Sequence, residues 1–426
     1  MVHRVSEGIR TVAIVGGGPA GASLATHLAR AGVRVGIFDT GKRPEIIVGE
    51  SLVPAVVPYM KKLGIEEEVR SYSIYKPGAT FVLRGGQEVM NLRFDEVLGA
   101  KTTYSYNVPR DRFDASVLAA AEKSGAHVIP HSARLEVENG SSPGNEHLRL
   151  SEAALEAGSH VFGGHQPDFI VDATGRRRMV SNLLKLPFET GPRRDAALHA
   201  HFEGVGLVEC GNVHTDLLEN GWSWRIPLPG RVSVGLVING DTISQFGDTI
   251  EEQLDRYIAY DPVIAQWGGT PKRISKVFRY SNYQLSTHRG SGPNWALVGD
   301  AFGFVDPVFS SGMLVGLDAS EVLARALQGG ASRAALDRYE AHVKHHLAVW
   351  HKVVQHYYSG RLFTLFHVGD AVKTTLPGRI LNLHFGRYLP RVFTGEASNG
   401  RYGIWLLDFM CRRGLLDNDP RELAVA

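Results

Sequence analysis

Short runs of apolar, β-branched residues separated by glycine-rich turns open the chain. Val12 to Val15 is such a run, which is typical of a strand buried in a parallel sheet. A helix is predicted over Ala22 to Ala31, ended by Gly32, and a second strand over Val33 to Phe38. Strand, helix and strand in this order predict a βαβ unit at the N-terminus.

The turn after the first strand carries Gly16, Gly18 and Gly21 in the spacing G-x-G-x-x-G, with Ala20 inside it. This spacing allows a tight turn, a close approach of backbone amides to a pyrophosphate, and close packing of helix on strand. Asp39 follows at the distance where an acidic side chain accepts hydrogen bonds from ribose hydroxyls. The pattern predicts a dinucleotide site; a glycine-rich hinge between core elements is the alternative.

Later segments of the same apolar type predict the rest of the fold. Phe169 to Asp172 reads as a buried strand that ends in a turn at Gly175, and Trp295 to Asp300 as another. From about 195 to 285, alternating or continuously apolar runs predict a second sheet, and the residues from 332 onward are mostly helical. We therefore predict an α/β protein with a β-sheet substrate domain and a helical C-terminal segment.

Composition narrows the cellular setting. The 426 residues carry a formal net charge of +2, which gives no reason to expect a nucleic-acid or acidic-membrane partner. Cys210 and Cys411 are far apart and lack metal-ligand spacing, which fits a reducing compartment. The polar N-terminus, Met1 to Arg10, lacks the apolar core of a signal peptide. We expect a cytoplasmic protein with no membrane partner.

Histidines cluster in one predicted helix of the C-terminal segment. His342 and His346 lie one turn apart on one face of it, and His345 and His351 share the helix. Paired histidines of this spacing bind metals when further ligands complete the set. No cysteine or clearly facing carboxylate completes it in the sequence, so no metal is predicted.

Three parts of the first domain resemble the FAD-binding fold of class A flavoprotein monooxygenases, the para-hydroxybenzoate hydroxylase type. They are Gly16 to Gly21, the turn from Asp172 to Gly175, and Gly299-Asp300. The resemblance covers most of the first 330 residues. It implies a Rossmann-type FAD-binding domain in which Asp300 meets the ribityl and pyrophosphate region. It also implies that Arg110, ahead of a helix predicted over Ala115 to Ser124, lies along the cofactor. From the residues alone, a helix N-cap for Asp300 and a solvated surface charge for Arg110 are the alternatives.

Further motifs resemble those of flavin-dependent halogenases, in their phenol- and pyrrole-halogenase form. They are Trp222-Ser-Trp224-Arg-Ile226-Pro227, Phe304-Val-Asp-Pro307-Val-Phe-Ser-Ser311-Gly312, Gly49-Glu50-Ser51, and Lys76 at the position of the active lysine. Tryptophan halogenases place a glutamate just before the Ser-x-Gly of the second motif. Here that position is Phe309.

This resemblance implies an FAD-dependent oxidoreductase of biosynthesis that halogenates an electron-rich aromatic substrate. Reduced FAD and O2 would form a C4a-peroxide, chloride or bromide would attack it, and Lys76 would relay the hypohalous acid. Trp222 and Trp224 would wall the flavin off from the substrate, and Ser311-Gly312 would hold the halide with backbone amides. Desolvation should depress the pKa of Lys76. The implied cofactor contacts further include Glu50, Ser51, Asp172, Gly175, Pro307, Gly312 and Met313.

Ordinary structural roles are the alternatives for these residues. Lys76 is then an exposed turn lysine, the two tryptophans are sheet core, Ser311 caps the next helix, and Glu50 is a turn or capping residue. As an activity, the alternative is a monooxygenase that hydroxylates an aromatic directly, including a peptide- or carrier-bound tryptophan, phenol or pyrrole. A non-catalytic flavoprotein, or a reductase of prenyl chains, is a third reading.

No second dinucleotide motif for NADPH is visible, so a separate flavin reductase is the expected partner that supplies reduced FAD. The predicted FAD-binding domain is discontinuous and comprises residues 1–75, 108–190 and 286–330. The substrate-binding sheet takes residues 76–107 and 191–285, and the helical C-terminal segment takes residues 331–426.

Overall fold

The part of the chain that the structure, a computed structural model, describes comprises residues 8–281, 284–372, 388–396, 398, 400–415 and 418–425. Most of the polar N-terminus and residues 373–387 of the predicted helical segment lie outside it. Within these ranges no helix combines the length and the apolar character that crossing a membrane requires.

Strands are short in the first half of the chain and long between residues 195 and 239. They are β1 (Thr11–Val15), β2 (Arg34–Phe38), β3 (Ile74–Lys76), β4 (Gly78–Leu83), β5 (Glu88–Arg93), β6 (Ser105–Asn107), β7 (His127–Ile129), β8 (Leu135–Val137), β9 (Leu148–Leu150), β10 (Phe169–Asp172), β11 (Phe188–Thr190), β12 (Asp195–Val205), β13 (Val213–Leu218), β14 (Gly221–Leu228), β15 (Arg231–Asn239), β16 (Gly269–Arg273), β17 (Phe278–Ser281), β18 (Leu285–Thr287), β19 (Trp295–Leu297) and β20 (Gly303–Phe304).

Helices lie around these strands and follow them. They are α1 (Pro19–Arg30), α2 (Val57–Leu63), α3 (Glu66–Tyr72), α4 (Arg110–Lys123), α5 (Glu152–Ala157), α6 (Ser159–Phe162), α7 (Met179–Leu183), α8 (Gly240–Ile243), α9 (Ile250–Tyr260), α10 (Gly312–Gln328), α11 (Arg333–Tyr358), α12 (Arg361–Val372), α13 (Pro390–Phe393) and α14 (Arg401–Arg413).

A five-stranded parallel sheet in the order β19-β10-β1-β2-β7 contains the predicted βαβ unit. Its central strand is apolar after Thr11, and Val12 to Val15 are at most 3% exposed. Both faces of such a sheet are covered, which explains a continuous apolar run instead of alternation. Helix α1 begins at Pro19, earlier than predicted, because proline is well tolerated in a first helical turn.

An eight-stranded sheet holds the long strands, in the order β16-β12-β15-β14-β13-β4-β5, with β17 also paired to β12. Its pairs are antiparallel except that β4 runs parallel to β13, with Ala79 opposite Val213. The segment that follows Lys76 is therefore part of the same sheet as the Trp-x-Trp motif of β14. The assignment of the two sheets to separate domains stays a prediction.

Strand β14 is buried along its whole length. Side chains alternate across a sheet, so Trp222, Trp224 and Ile226 share one face and Arg225 lies on the other. Arg225 donates to both carboxylate oxygens of Asp216 on β13, at 2.5 and 3.0 Å. Both side chains are buried, which makes this a desolvated ion pair directly behind the tryptophans.

The C-terminal helices cover the sheets. Tyr339, Trp350 and Tyr357 of α11 and Phe363 of α12 are at most 1% exposed. The rings of Trp350 and Tyr357 contact Phe309, the Phe363 ring contacts Tyr357, and the Tyr339 ring contacts Phe302. The aromatic periodicity of this segment is therefore that of packed core.

Candidate active site

A cavity of about 570 Å³ extends from the carboxyl ends of β1, β10 and β19 to the tryptophans of β14. Ligand pockets in proteins have this size. Most of the residues predicted to hold the cofactor lie in its wall, and both tryptophans do. They are Gly16, Gly18, Ala20, Asp39, Glu50, Ser51, Arg110, Gly175, Asp300, Pro307, Gly312, Met313, Trp222 and Trp224.

The glycines of the first turn serve different ends. Gly16 has φ +110°, and a Cβ there would lie 2.3 Å from the carbonyl oxygen of Ala173. A Cβ on Gly18 would meet nothing within 4 Å, so the backbone is open there. Gly21 lies outside the cavity wall, and a Cβ on it would lie 2.2 Å from the carbonyl oxygen of Gly16. Gly21 therefore serves packing of helix on turn, the third role that the spacing predicts.

Asp39 lies in the wall but already has partners. Its carboxylate accepts from the backbone N–H groups of Gly17 and Gly41, both at 2.7 Å, and from two nitrogens of Arg43 at 2.8 and 2.5 Å. Burial raises the pKa of Asp39, but the hydrogen bonds from Arg43 and from the backbone outweigh it, and the net shift is downward. A ribose hydroxyl would share this carboxylate with Arg43, a residue that sequence reasoning missed.

Arg110 is not a surface charge. Its guanidinium donates to Asp114 at 2.8 and 3.1 Å and to the carbonyl oxygen of Val48 at 2.5 Å, and only 11% of its side chain is exposed. The pair with Asp114 spans the first turn of α4, which begins at Arg110 instead of the predicted Ala115. Arg110 thereby joins α4 to the segment before Glu50 at the cavity.

Asp300 lies in a short turn, Gly299–Ala301, and caps no α-helix. Its carboxylate makes no hydrogen bond to any residue in the described part of the chain, although it belongs to the cavity wall. Burial raises its pKa to about 6, against the attraction of Arg110 and Arg176. A carboxylate without a protein partner is suited to accept from a ligand hydroxyl.

Asp172 corrects the prediction of a cofactor contact. It is fully buried outside the cavity wall and accepts from the N–H and hydroxyl of Thr174 and from the N–H of Val180. These three bonds hold the turn after β10 in shape. The prediction that β10 ends at Asp172 is correct, but the carboxylate faces the backbone of the turn that follows and not the cavity.

Trp222 and Trp224 are at once buried and part of the cavity wall, with ring centroids 5.9 Å apart. The indole N–H of Trp222 donates to the hydroxyl of Tyr358 at 2.9 Å, and that hydroxyl donates to Asp306 at 2.7 Å. Gly235 lies opposite Trp224, and a Cβ on it would lie 2.1 Å from the indole. Trp222 is therefore fixed in place by a residue far away in sequence, and Trp224 packs against the neighbouring strand β15.

Lys76 is 2% exposed, so it is not a turn lysine on the surface. Its ammonium donates to the Ser51 hydroxyl and to the Leu52 carbonyl oxygen, both at 2.8 Å, and lies 5.5 Å from the Phe94 ring centre. Burial lowers its pKa to about 7, in the predicted direction. Lys76 itself lies outside the cavity wall, whereas Ser51 lies in it.

Glu50 has a partner that the sequence did not reveal. Its carboxylate contacts Nε2 of His201 at 2.8 Å, and both groups are buried. His201 and His199 lie on the same face of β12, two residues apart. The His199 ring stacks on Tyr280 and leans on Trp224, with centroids 5.3 and 5.9 Å away. Alternation along β12 was the available signal for these histidines.

Of the Ser311-Gly312 pair predicted to hold the halide, only Gly312 lies in the cavity wall. Ser311 stands at the N-cap position of α10, outside the cavity wall. Among the residues that the structure describes, its buried hydroxyl has no hydrogen-bond partner, and it does not cap the helix. Ser310, with φ +55°, lies in the wall together with Gly312 and Met313. In the spacing F-x-x-P-x-x-S-x-G counted from Phe304, the serine is Ser310, so the motif itself held the signal.

A carboxylate does face the paired histidines, contrary to the prediction. Asp318 of α10 contacts Nε2 of His342 at 2.5 Å and Nδ1 of His346 at 3.1 Å. The two histidines indeed share one face of α11, as their spacing predicts. The ligand atoms of the three residues all lie within 4.8 Å of one another.

The cavity fits FAD. Helix α1 begins after Gly18 without a side-chain cap, so its first N–H groups are available to a pyrophosphate. Asp300 offers an acceptor to sugar or ribityl hydroxyls, and the indoles offer flat apolar surface. These features are those of a dinucleotide-binding flavoprotein.

Comparison with known proteins gives the family. The profile described as tryptophan halogenase matches residues 11–94 and 79–367. The chain belongs to this family of flavin-dependent halogenases, which are FAD-dependent enzymes.

Relatives and solved structures agree with this family assignment. The 1H-pyrrole-2-carbonyl-[peptidyl-carrier protein] chlorinase of Pseudomonas fluorescens is 26% identical, over 83% of this chain and 85% of its own length. The tryptophan 2-halogenase of Chondromyces crocatus is 27% identical, over 82% of this chain and 67% of its own length. The myxobacterial chondrochloren halogenase CndH has a TM-score of 0.68 at 25% identity, covering 98% of this chain and 100% of its own. A flavoprotein/dehydrogenase from Cytophaga hutchinsonii shares the fold, with a TM-score of 0.78 at 22% identity over 95% and 98%.

Proposed function

We propose that this chain halogenates an electron-rich aromatic substrate of the phenol or pyrrole type, and that Lys76 passes the halogen to it. The observation that carries the proposal is the buried Lys76 ammonium, joined by one hydrogen bond to Ser51 in the wall of the FAD cavity. With a pKa of about 7, the amine is present in both charged and neutral forms near neutral pH. The charged form can hold hypohalous acid by a hydrogen bond. The neutral form can take the halogen as an N–halogen bond with release of water.

When bound, reduced FAD would supply two electrons and two protons, with which O2, a halide ion and one further proton become hypohalous acid and water. The residues of the chain position the cofactor, shield it from the substrate and deliver the halogen. Trp222 and Trp224 both lie in the wall of the FAD cavity with their rings in contact, which supports their role as the barrier between cofactor and substrate. Substrate kept away from the cofactor meets only the halogen carried by Lys76, loses a ring proton and gains the halogen.

For the halide, we propose the start of α10. The N–H groups of Gly312 and Met313 precede the first intrahelical bond, from Val315 to Ser311 at 3.0 Å, and both residues line the FAD cavity. Such N–H groups, with the positive end of the helix dipole, attract anions. Chloride or bromide held there would lie in the wall of the FAD cavity.

Phe309 supports a phenol or pyrrole substrate over tryptophan. It stands where tryptophan halogenases carry a glutamate, and it packs on Trp350, Tyr357 and Phe393 with centroids 5.4 to 6.4 Å away. An apolar ring there removes the acid that would accept from an indole N–H. One relative is a chlorinase of a carrier-bound pyrrole, so we propose a carrier-bound aromatic as one substrate form and a separate reductase as the source of reduced FAD.

The test supplies the FAD-loaded protein with a flavin reductase, NADH, 18O2 and either chloride or bromide. A panel of phenols, pyrroles and tryptophan, free and attached to a carrier protein, is then searched by mass spectrometry for halogen isotope patterns. We expect halogenated phenol or pyrrole without 18O, and none from Lys76→Met although FAD binding and reduced-flavin oxidation persist. Lys272→Met, an exposed lysine of β16, is the matched control. Incorporation of 18O into the product rejects the proposal and identifies a hydroxylase. Halogenated product from Lys76→Met also rejects the proposal.

A further inference from the structure

The contact between α10 and α11 holds a three-residue cluster separate from the FAD cavity. It consists of Asp318, His342 and His346, with Asp318 and His346 buried and His342 half-buried. One carboxylate oxygen, Oδ2, contacts both imidazoles, at 2.5 and 3.1 Å. Two histidines one turn apart and a carboxylate from a neighbouring helix form a facing N2O donor set.

Each buried member of this cluster is oriented from its other side. The hydroxyl of Tyr59 donates to Oδ1 of Asp318 at 2.9 Å. Nε2 of His346 contacts the hydroxyl of Ser398 at 2.9 Å, and that hydroxyl donates to the carbonyl oxygen of Gly395 at 2.7 Å. Outer partners of this kind orient the ligands in protein metal sites.

The partners of Ser398 fix the proton of His346. Since the Ser398 hydroxyl gives its proton to Gly395, it must accept from Nε2 of His346, so the neutral ring bears its hydrogen on Nε2. Nδ1 of His346 then presents a lone pair toward Oδ2 of Asp318. Two lone pairs in contact repel each other unless a cation lies between them. The cation between Nδ1 of His346 and Oδ2 of Asp318 can be a second proton on the ring, or a metal ion bound to both atoms.

We propose that Asp318, His342 and His346 bind a divalent metal ion of the zinc type. Two imidazole nitrogens and one carboxylate oxygen suit zinc, and a water entering beside the half-exposed His342 completes four ligands. Bonds of about 2.0–2.2 Å at tetrahedral angles hold two ligand atoms about 3.3–3.6 Å apart. The contact of Asp318 with His342, now 2.5 Å, must therefore lengthen by about 1 Å and that with His346, now 3.1 Å, by a few tenths, which side-chain rotations supply. The ion would tie α10 to α11, and through Ser398 to the chain near residue 395.

The site does not depend on the proposed halogenation. Helix α10 lines the FAD cavity with its first turn and carries Asp318 further along. A metal there acts on the stability of this helix pair, so the expected readouts are metal binding and unfolding temperature. Binding to the folded chain alone raises stability in proportion to the logarithm of free metal over Kd.

The experiment uses the full chain with FAD, stripped of metal by a chelator and titrated with Zn2+ in a calorimeter. We expect one equivalent to bind, a rise in unfolding temperature that the chelator reverses, and visible absorption of tetrahedral Co2+ when cobalt replaces zinc. His342→Ala, which changes a half-exposed position, should lose the site with the fold retained, as judged by FAD binding. Ser398→Ala should weaken binding about 10- to 100-fold.

His345→Ala, on the same helix and exposed, is the matched control and should bind zinc like the unchanged chain. Absence of a bound equivalent in the unchanged chain overturns the proposal. Equal binding by the unchanged chain and His342→Ala overturns it as well, because zinc then lies elsewhere.

Discussion

Replacement of Lys76 by methionine should change how the stability of the protein depends on pH. Methionine keeps the length and apolar stem of the side chain but cannot be charged. Lys76 is fully enclosed, and burial lowers its pKa from 10.5 to about 7. In the unfolded chain the ammonium regains water and its ordinary pKa. Between the two pKa values the unfolded chain therefore binds more protons than the folded chain.

The sign and size follow from this difference. Stability rises with pH wherever the unfolded state binds more protons, so wild type should gain stability as the pH rises above about 7. A lowering from 10.5 to about 7 corresponds to roughly 5 kcal/mol between the charged and neutral forms. Between about pH 6.5 and about pH 9, roughly 2.5 kcal/mol of this should be recovered relative to Lys76→Met.

Urea unfolding of the apoprotein, followed by tryptophan fluorescence at several pH values, measures the effect. The pH dependence of the difference between wild type and Lys76→Met isolates the ionisation, because lost packing and hydrogen bonds contribute a constant offset. Lys272→Met controls for removal of a lysine from an exposed strand. Parallel pH curves for wild type and Lys76→Met would refute the reasoning, since Lys76 would then titrate alike in both states.

Three further predictions test other parts of the site. Gly16→Ala should purify without flavin absorbance, because its Cβ would lie 2.3 Å from the Ala173 carbonyl oxygen at φ +110°. Arg225→Met leaves Asp216 as an unpaired buried charge and should lower the free energy of unfolding by about 3–5 kcal/mol. Replacing both residues with apolar ones should restore most of this loss, and urea denaturation of the wild type, the single variant and the double variant measures it. Asp300→Ala should raise the Kd for FAD about 10- to 100-fold in a fluorescence titration, and an unchanged Kd would show that no ligand hydroxyl binds this carboxylate.

The part of the fold that could be predicted from the sequence is the part whose signals are local. A buried strand, a glycine turn and a helix lie within thirty residues of the N-terminus, so their pattern fixed both the elements and the cavity they border. The Trp-x-Trp motif likewise placed two indoles on one face of one strand. In each case the sequence neighbours are also the structural neighbours.

What the sequence missed depends on partners that come from distant segments. His201 of β12 contacts Glu50, which lies 151 residues earlier, and Tyr358 of a C-terminal helix accepts a hydrogen bond from Trp222. The carboxylate for the paired histidines likewise lies on a different helix. Tertiary packing selects such pairs, and neither spacing nor periodicity reveals them.

The parallel pairing of β4 with β13 has a consequence for biosynthesis of the protein. Ala79 leaves the ribosome long before its partner Val213, so β4, paired with β5 on one side, must wait with its other edge unpaired while the intervening chain is made. An unpaired strand edge invites association with other chains. Truncation before β13 should therefore give an aggregation-prone fragment, and a nascent chain should depend on chaperones until β13 has emerged.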